Sequence, residues 1–237
     1  GKSTTLYATL GDVARPEINI ITVEDPVEFR MRGINQVQVN NKAGMTFAAA
    51  LRSILRADPD VVLIGEIRDQ ETANIAIEAS LTGHLVLSTL HTNDAPSAVT
   101  RLTEMGVEPF LLSSSLAAVM AQRLARRLCK KCKRQDTATE AELRTLGVPH
   151  MPDTPLPTIW RPVGCRECAN TGYSGRVAIQ QVMGVDSTME DLIARGATSI
   201  DIDKAAKEQG MTTLRKDGWQ KALQGITSVE EVLRVTV

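Results

Sequence analysis

Short apolar runs separated by helical patterns fill the first half of the chain. Residues 18–24 are rich in β-branched side chains, residues 34–39 alternate apolar and polar side chains, and residues 61–64 and 84–90 are further apolar runs. Each segment is typical of a β-strand. Because short strands that alternate with helices are usually buried on both faces, the pattern predicts an α/β fold with a mostly parallel sheet.

Helices are predicted between and after these strands. Thr46 can cap a helix that ends near Ala57, because the apolar residues after it share one helical face. Asp69 can cap a second helix that ends near Gly83, a residue type that favours termination. Two more helices are predicted over residues 95–105 and 109–127.

Residues 129–175 differ from the rest of the chain. They hold all four cysteines and five of the ten prolines, with few periodic runs, which indicates a loop-rich insert. We therefore predict a core over residues 1–128, the insert, and a C-terminal region over residues 176–237 that begins with a strand over 176–183 and continues as helices. Two capping boxes are predicted in this region, Ser187 with Glu190 and Ser228 with Glu231.

The composition excludes several classes of protein. The 237 residues are 43% hydrophobic and 23% charged, which is typical of a globular protein rather than a disordered one. A net charge of −1 and only 3% aromatic residues disfavour a protein that coats nucleic acid. The longest uncharged stretches, residues 79–93 and 109–122, are shorter than the ~18 apolar residues of a membrane-spanning helix.

Polar side chains follow three of the predicted strands. Glu24, Asp25 and Glu28 come at the end of the first strand, Glu66 follows the strand 61–64, and His91 follows the strand 84–90. Ligands of open α/β folds bind where parallel strands end, and three carboxylates so close together favour a cation. For each segment taken alone, an acidic turn, a solvated acid or a structural histidine is the alternative.

The chain begins with Gly1-Lys2-Ser3-Thr4, which matches the end of a phosphate-binding loop. In such a loop, backbone amides at a helix N-terminus hold the phosphates, the lysine reaches their oxygens and the hydroxyl holds Mg²⁺. A frayed terminus is the alternative for so short a motif.

The cysteines form two Cys-x-x-Cys pairs, Cys129 with Cys132 and Cys165 with Cys168. Four thiolates in this arrangement can hold Zn²⁺ in a closed structural site. The separation of the pairs exceeds that of an ordinary zinc ribbon, so a helix or loop is expected between them. A redox or disulfide role is the alternative.

These motifs, in this order, resemble the secretion ATPase family of type II secretion and type IV pilus assembly. The matching segments are the end of the Walker A loop at Gly1, the "Asp box" ITVEDPVE, the Walker B segment DPDVVLIGEIRD and the "His box" GHLVLSTLHTND. The resemblance covers essentially the whole chain and implies the C-terminal ATPase domain, a RecA-like P-loop ATPase core with a mostly parallel sheet. A tetracysteine site also occurs in the type II secretion and pilus-extension branches.

The resemblance implies a role for each polar residue at the strand ends. Lys2 and Ser3 would contact the nucleotide and Mg²⁺, with Gly1 and Thr4 beside them, Glu66 would position the attacking water, and His91 would sense the γ-phosphate. The remaining implied site residues are the Asp-box acids Glu24, Asp25 and Glu28, and the arginines Arg52 and Arg56 near the phosphates or the subunit interface. The two arginines lie at i, i+4 of one predicted helix, and a solvated basic face is their alternative.

The function implied is that of an ATP-hydrolysing motor subunit that powers type II protein secretion or type IV pilus assembly. The family assembles as homo-hexamers in the cytoplasm, peripheral to the inner membrane, and docks on inner-membrane platform proteins. The cofactors implied are ATP, Mg²⁺ and Zn²⁺, and no nucleic acid is expected as a partner.

Two parts of the family pattern are absent from these 237 residues. They are the glycine-rich front of the Walker A loop and the amino-terminal domain. The sequence is therefore expected to be a fragment that begins within the loop. By itself it should hydrolyse ATP poorly or not at all, and no more than a Lys2→Ala control.

A different class of function competes with the motor. Residues 122–134 carry seven basic side chains and no acidic ones beside the cysteine pairs. This stretch favours a zinc-containing nucleic-acid-binding or DNA-translocating ATPase, or binding to anionic lipid. A solvated face or a contact with an acidic neighbouring subunit is the alternative.

Overall fold

The computed structural model describes residues 1–151 and 153–236. They divide into two units. The first unit contains residues 2–119 and 183–206, and the second unit contains residue 1, the described part of 120–182, and 207–236. The three-part division expected from composition, with boundaries after residues 128 and 175, stays a prediction.

Strands and helices alternate in the order that the sequence pattern predicts for most of the first unit. The strands are β1 (Ile20–Glu24), β2 (Asn35–Gln38), β3 (Val61–Ile64), β4 (Leu85–Ser88), β5 (Ala118–Leu128), β6 (Arg134–Thr137), β7 (Thr158–Arg161) and β8 (Tyr173–Gly184). The α-helices are α1 (Lys2–Val13), α2 (Phe47–Ile54), α3 (Gln70–Leu81), α4 (Pro96–Glu104), α5 (Pro109–Ser115), α6 (Glu140–Leu146), α7 (Ser187–Ala194), α8 (Ser199–Glu208), α9 (Leu214–Leu223) and α10 (Val229–Val235). Within the part of the chain that the structure describes, no helix is both long and apolar enough to cross a lipid bilayer.

A four-stranded sheet forms the centre of the first unit. Its strand order is β2-β1-β3-β4, and every neighbouring pair is parallel. β1 and β3 are buried along their whole length, so both faces of the sheet are covered. The predicted α/β fold with a mostly parallel sheet is confirmed, because helices alternate with these strands and all three strand pairs are parallel.

Helix α1 lies against one face of this sheet and runs opposite to the strands. Leu10, near its C-terminal end, packs in the same cluster as Ile20 at the start of β1. The Tyr7 hydroxyl, nearer its N-terminus, contacts Glu24 at the end of β1. The first turn of α1 therefore lies toward the carboxyl-terminal edge of the sheet.

The predicted helix over residues 109–127 is wrong in its second half. α5 ends at Ser115, and β5 begins at Ala118 and pairs with β8. In the last turn of α5, the hydroxyls of Ser113 and Ser115 donate to backbone carbonyls of the same helix. Such bonds compete with the helical backbone bonds and so disfavour continuation of the helix. Pairing with β8 is a long-range contact, so no local pattern could reveal it.

The segment 129–175 contains more regular structure than predicted. β6 and β7 form an antiparallel pair, and α6 lies between them. A capping box of Thr139 and Glu142 begins α6, although the sequence analysis did not identify it. The strand predicted over 176–183 is present within the longer β8.

The predicted caps have mixed outcomes. Asp69 caps α3, as predicted. Ser228 caps α10, but the carboxylate of Glu231 binds Arg126 and Arg234, so only half of the predicted box of Ser228 with Glu231 is present. The box of Ser187 with Glu190 is wrong, because Asp186 caps α7 and Ser187 is already the first helical residue. Aspartate and serine are both good N-caps, so the sequence alone did not decide which of these two adjacent residues caps α7.

A buried carboxylate links α10 to β5 in the second unit. Glu231 is 1% exposed and accepts hydrogen bonds from the backbone and guanidinium of Arg126 and from the guanidinium of Arg234, at 2.7 to 2.8 Å. The Arg126 guanidinium also stacks on the Tyr173 ring, 4.1 Å from its centroid. Burial raises the pKa of Glu231, but the bonds from Arg234 and Arg126 lower it by more, so the pKa falls to about 2.

This shift predicts a loss of stability in acid. Because the folded pKa of Glu231 lies below its unfolded value of ~4.3, its contribution is complete above that pH and is lost as the pH falls toward 2. Glu231→Gln should lower the free energy of unfolding by about 3 kcal/mol at pH 7 and flatten its decline below pH ~5. Urea unfolding at a series of pH values measures both quantities. Glu208→Gln, at an exposed site on α8, is the control, and equal pH slopes in the two variants would contradict the prediction.

Candidate functional site

Three strands of the sheet end in polar side chains at one edge. Val23 of β1 is in register with Ile64 of β3, and Ile64 with Ser88 of β4. Since the strands are parallel, Glu24, Glu66 and His91 follow at the same carboxyl-terminal edge. This is the arrangement that the sequence analysis expected from three separate segments.

Glu66 is held between two basic side chains. Its carboxylate is 13% exposed, forms an ion pair with Arg68, and lies 3.3 Å from Nε2 of His91. Burial raises the pKa of Glu66, but Arg68 and then His91 lower it by more, so the pKa lies below its usual value. Glu66 is therefore ionised at neutral pH and can accept a hydrogen bond from a water molecule.

The acids after β1 divide into a buried one and two exposed ones. Glu24 is 5% exposed and accepts hydrogen bonds from the hydroxyls of Tyr7 and Thr22. Asp25, which precedes a cis peptide bond to proline, and Glu28 are exposed. Only Asp25 and Glu28 therefore offer their carboxylates to a ligand from solvent.

The residues that match the phosphate-binding motif form the start of α1. Gly1 precedes the helix, and Lys2, Ser3 and Thr4 form its exposed first turn. A helix N-terminus carries unsatisfied amides and a partial positive charge, which favour an anion. Because α1 runs opposite to the strands, this turn lies toward the edge where Glu66 and His91 lie.

The two arginines have different surroundings. Arg52 on α2 forms an ion pair with Glu71 on α3. α2 ends at Ile54, so Arg56 lies in the following 3-10 turn rather than one turn along the same α-helix. That turn leads into β3, and Asn19 before β1 bonds to its last carbonyl, so Arg56 lies at the opposite, amino-terminal edge of the sheet. Of the two implied roles, a contact at a subunit interface fits Arg56 better than a phosphate contact within the same chain.

The four cysteines come together in the second unit. Their sulfur atoms all lie within 4.8 Å of one another, and three Sγ–Sγ distances are 3.7, 3.8 and 3.9 Å. A tetrahedral zinc site with Zn–S bonds of ~2.3 Å requires sulfurs about 3.8 Å apart, whereas a disulfide requires ~2.05 Å. The cluster therefore fits a four-thiolate metal site and excludes disulfides among these residues.

Backbone amides support the sulfur atoms. The amides of Cys165 and Gly172 donate to Sγ of Cys168 at 3.2 Å, and the amide of Gly164 donates to Sγ of Cys132 at 3.3 Å. Burial raises the pKa of the Cys168 thiol, but these backbone donors lower it by more, to about 6, whereas burial raises that of Cys132 to about 11. Binding of a divalent metal must therefore release thiol protons.

Several residues that support the two sites were not predicted from the sequence. Gly172 has a φ of +78°, and a Cβ there would lie 2.5 Å from Pro162, so glycine is required for its amide to reach the sulfur. Its position just after the second cysteine pair was the available signal. Tyr7, Thr22 and Arg68 were also missed. Thr22 and Arg68 lie within the motifs ITVEDPVE and DPDVVLIGEIRD, but the contacts of all three with the acids depend on the fold.

Some basic side chains of residues 122–134 make contacts within the fold. Arg126 binds the buried Glu231, and the ammonium of Lys133 donates to the carbonyl of Gly225 at 2.7 Å and lies over the Trp160 ring. These contacts fix two of the seven basic side chains for structural reasons. They weaken the case for the stretch as a nucleic-acid-binding face.

Comparison with known proteins places this geometry in a family. A family model described as "Type II/IV secretion system protein" matches residues 1–234. The chain is 52% identical over 236 residues to Type II secretion system protein E of Aeromonas hydrophila, which covers 100% of the chain and 46% of that protein. It is 51% identical over 237 residues to Type IV pilus assembly ATPase PilB of Thermus thermophilus, which covers 100% of the chain and 26% of that protein.

A solved structure agrees with the fold. The crystal structure of the pilus retraction motor PilT with bound ADP matches with a TM-score of 0.72 and 25% identity, over 99% of this chain and 57% of that one. The chain spans less than half the length of the two curated relatives named above. The match of the family model to nearly every residue, together with these identities, shows that the chain belongs to the Type II/IV secretion system protein family.

Proposed function

We propose that the protein containing this chain is an ATP-hydrolysing motor subunit that powers type II protein secretion or type IV pilus assembly. One observation carries the proposal: the turn that holds Lys2 and Ser3 lies toward the same sheet edge as Glu66 and His91. Phosphoryl transfer to water depends on positioning and on charge stabilisation, and these residue types supply both.

Each residue of the proposed site has a distinct task. The Lys2 ammonium and the first amides of α1 bind the phosphates, and the Ser3 hydroxyl holds Mg²⁺, which neutralises phosphate charge when bound. Glu66, kept ionised by Arg68, accepts a hydrogen bond from the attacking water and orients it. His91 lies beside Glu66 and donates to the γ-phosphate.

The exposed acids Asp25 and Glu28 complete the polar edge. Both lie in the connection after β1 and face solvent. Carboxylates near a triphosphate repel it unless a cation lies between them, so they are suited to water molecules bound to Mg²⁺. Arg52 and Arg56 are proposed to act at the interface between subunits.

The cysteine cluster is proposed to bind one structural Zn²⁺ through Cys129, Cys132, Cys165 and Cys168. The sulfur separations and the amide donors to sulfur support this assignment. Four protein ligands leave no open position, so the site stabilises the fold and takes no part in hydrolysis.

The proposed setting is supported by the names of the relatives. Proteins named for type II secretion and for type IV pilus assembly match at 52% and 51% identity. We infer that this protein works in such a machine as a homo-hexamer, in the cytoplasm and peripheral to the inner membrane, on inner-membrane platform proteins. Within it, residues 1–128, 129–175 and 176–237 are proposed as core, zinc insert and C-terminal region.

Replacement of Lys2 tests the proposed function. In the full-length protein, Lys2→Ala should lower kcat/KM for ATP hydrolysis roughly 100-fold, because one charge that stabilises the transferring phosphoryl group is lost. A steady-state phosphate-release assay measures the effect. Lys42→Ala, at another exposed lysine of the first unit, should leave the rate unchanged.

The same phosphate-release assay distinguishes the motor from the competing class, a DNA-translocating ATPase. Addition of double-stranded DNA should not stimulate hydrolysis by the motor. A DNA-stimulated rate, with binding that falls steeply as salt rises, would instead favour a DNA-translocating ATPase.

A further inference from the structure

Tyr7 connects the first helix to the chain that follows β1. Its hydroxyl donates to a carboxylate oxygen of Glu24 and accepts from the backbone amide of Glu28 at 3.1 Å. We call residues 25–34, between β1 and β2, the acidic connection after Asp25 and Glu28, although it also contains Arg30 and Arg32. One phenol group thus bridges α1, the end of β1 and the acidic connection, and it does so while only 4% exposed.

The carboxylate of Glu24 is fully engaged inside the protein. Besides Tyr7, it accepts from the Thr22 hydroxyl at 2.5 Å and from Nε2 of Gln36 at 3.2 Å. A buried carboxylate is costly unless such donors surround it. All three donors belong to the fold, so Glu24 is an anchor for neighbouring groups rather than a free ligand.

The acidic connection has further attachments to β2. Gln36 donates to the carbonyl of Phe29 at 3.2 Å and accepts from the amide of Met31 at 2.7 Å. The side chain of Gln38 accepts from the amide of Val27 at 3.2 Å. The backbone of the connection is therefore fixed on one side by β2 and on the other by Tyr7, while its acids Asp25 and Glu28 stay exposed.

Helical geometry relates Tyr7 to the proposed phosphate site. Ser3 precedes Tyr7 by four residues on α1, so the two side chains lie on the same helical face, one turn apart. The face that directs Tyr7 toward Glu24 therefore also carries the proposed Mg²⁺ ligand. A shift of the acidic connection relative to α1 would change the separation between Ser3 and the exposed acids.

We propose that Tyr7 is a positioning residue for ATP hydrolysis, and that Glu24 is its structural acceptor and not a group that contacts ATP, Mg²⁺ or water. The inference rests on the proposed function. Through the Tyr7 hydroxyl, α1 holds the acidic connection in place, so that Asp25 and Glu28 stand at a fixed distance from the nucleotide. The Tyr7 hydroxyl therefore affects the geometry of the transition state and not the binding of ATP.

Removal of one hydroxyl tests the inference. In the full-length protein, Tyr7→Phe should lower kcat roughly tenfold, because small misplacements of reacting groups are costly, and should change KM for ATP less than about twofold. The chain offers a matched control in its only other tyrosine: Tyr173→Phe removes a hydroxyl that contacts Ser228 in the second unit, and should change neither value.

Two further measurements distinguish an anchor from a catalytic acid. Hydrogen exchange of the backbone amides in the acidic connection should be several-fold faster in Tyr7→Phe and unchanged in Tyr173→Phe. The losses of kcat in Tyr7→Phe and Glu24→Gln should not add in the double variant, because both break the same hydrogen bond. If Tyr7→Phe does not fold, Gln36→Met removes another donor to Glu24 and should act in the same direction.

Four results would contradict the inference about Tyr7. A wild-type kcat in Tyr7→Phe, a change confined to KM, additive losses with Glu24→Gln, or unchanged amide exchange would each overturn the inference while leaving the ATPase proposal intact. An inactive parent protein in which Lys2→Ala has no effect would contradict the ATPase proposal. Even then, unchanged amide exchange in Tyr7→Phe would contradict the proposal that Tyr7 holds the acidic connection in place.

Discussion

Glu66→Gln is expected to lower kcat for ATP hydrolysis roughly 100- to 1000-fold while ATP affinity changes little. The substitution keeps the shape of the side chain but removes the negative charge that orients the attacking water. That charge is needed in the transition state, so its loss appears in kcat. Single-turnover hydrolysis and ATP titration in the full-length protein measure the two quantities separately.

The pH dependence of the parent protein gives a second check of this role. Since Arg68 and His91 lower the pKa of Glu66, the carboxylate stays ionised below its ordinary range near ~4.3. A decline of kcat between pH 8 and 6 should therefore not be due to protonation of Glu66. The matched control is Glu78→Gln, at an exposed site on α3, which should retain the full rate. A kcat for Glu66→Gln within threefold of the parent value would refute the assignment.

The second large effect is expected from loss of the proposed zinc ion. Cys165→Ser should abolish the binding of one zinc per chain, which elemental analysis measures, and should destabilise the second unit. Structural zinc contributes ~10–16 kcal/mol in small zinc domains, which is comparable to the total stability of an ordinary domain. Limited proteolysis should then cut within residues 129–175, and a chelator should produce the same pattern in the parent protein.

The control for the cysteine substitution lies in the same turn. Glu167 stands between Cys165 and Cys168 and is exposed, and its ion pair with Lys131, at 4.0 Å, contributes little. Glu167→Gln should therefore keep the metal and the protease resistance. Purified parent protein with no zinc, or a Cys165→Ser variant as stable as the parent, would show that the cluster is not a structural zinc site.

The chain is about equally similar to proteins named for two kinds of machine. Type II secretion system protein E of Pseudomonas aeruginosa is 55% identical to it, and the pilus assembly ATPase PilB of Myxococcus xanthus is 52% identical. Both identities extend over nearly the whole chain. Overall identity therefore does not separate the two machines, and the proposed function includes both.

The sequence by itself determined the parallel sheet and predicted which polar residues follow its strands. β1 and β3 are fully buried and rich in β-branched and apolar residues, so both were recognisable as strands from the sequence. The spacing of the cysteines likewise indicated a metal cluster, because metal ligation requires particular residue types at short separations. These features are encoded locally and can be read from a few adjacent residues.

Only the tertiary structure decided the burial of individual acids and the conformation of residues 118–128. Glu24 and Asp25 are neighbours of the same charge, yet one is buried under Tyr7 and the other is exposed. Residues 118–128 form a strand because β8, some 55 residues later, pairs with them. Burial and strand pairing depend on parts of the chain that are distant in sequence, so local pattern cannot specify them.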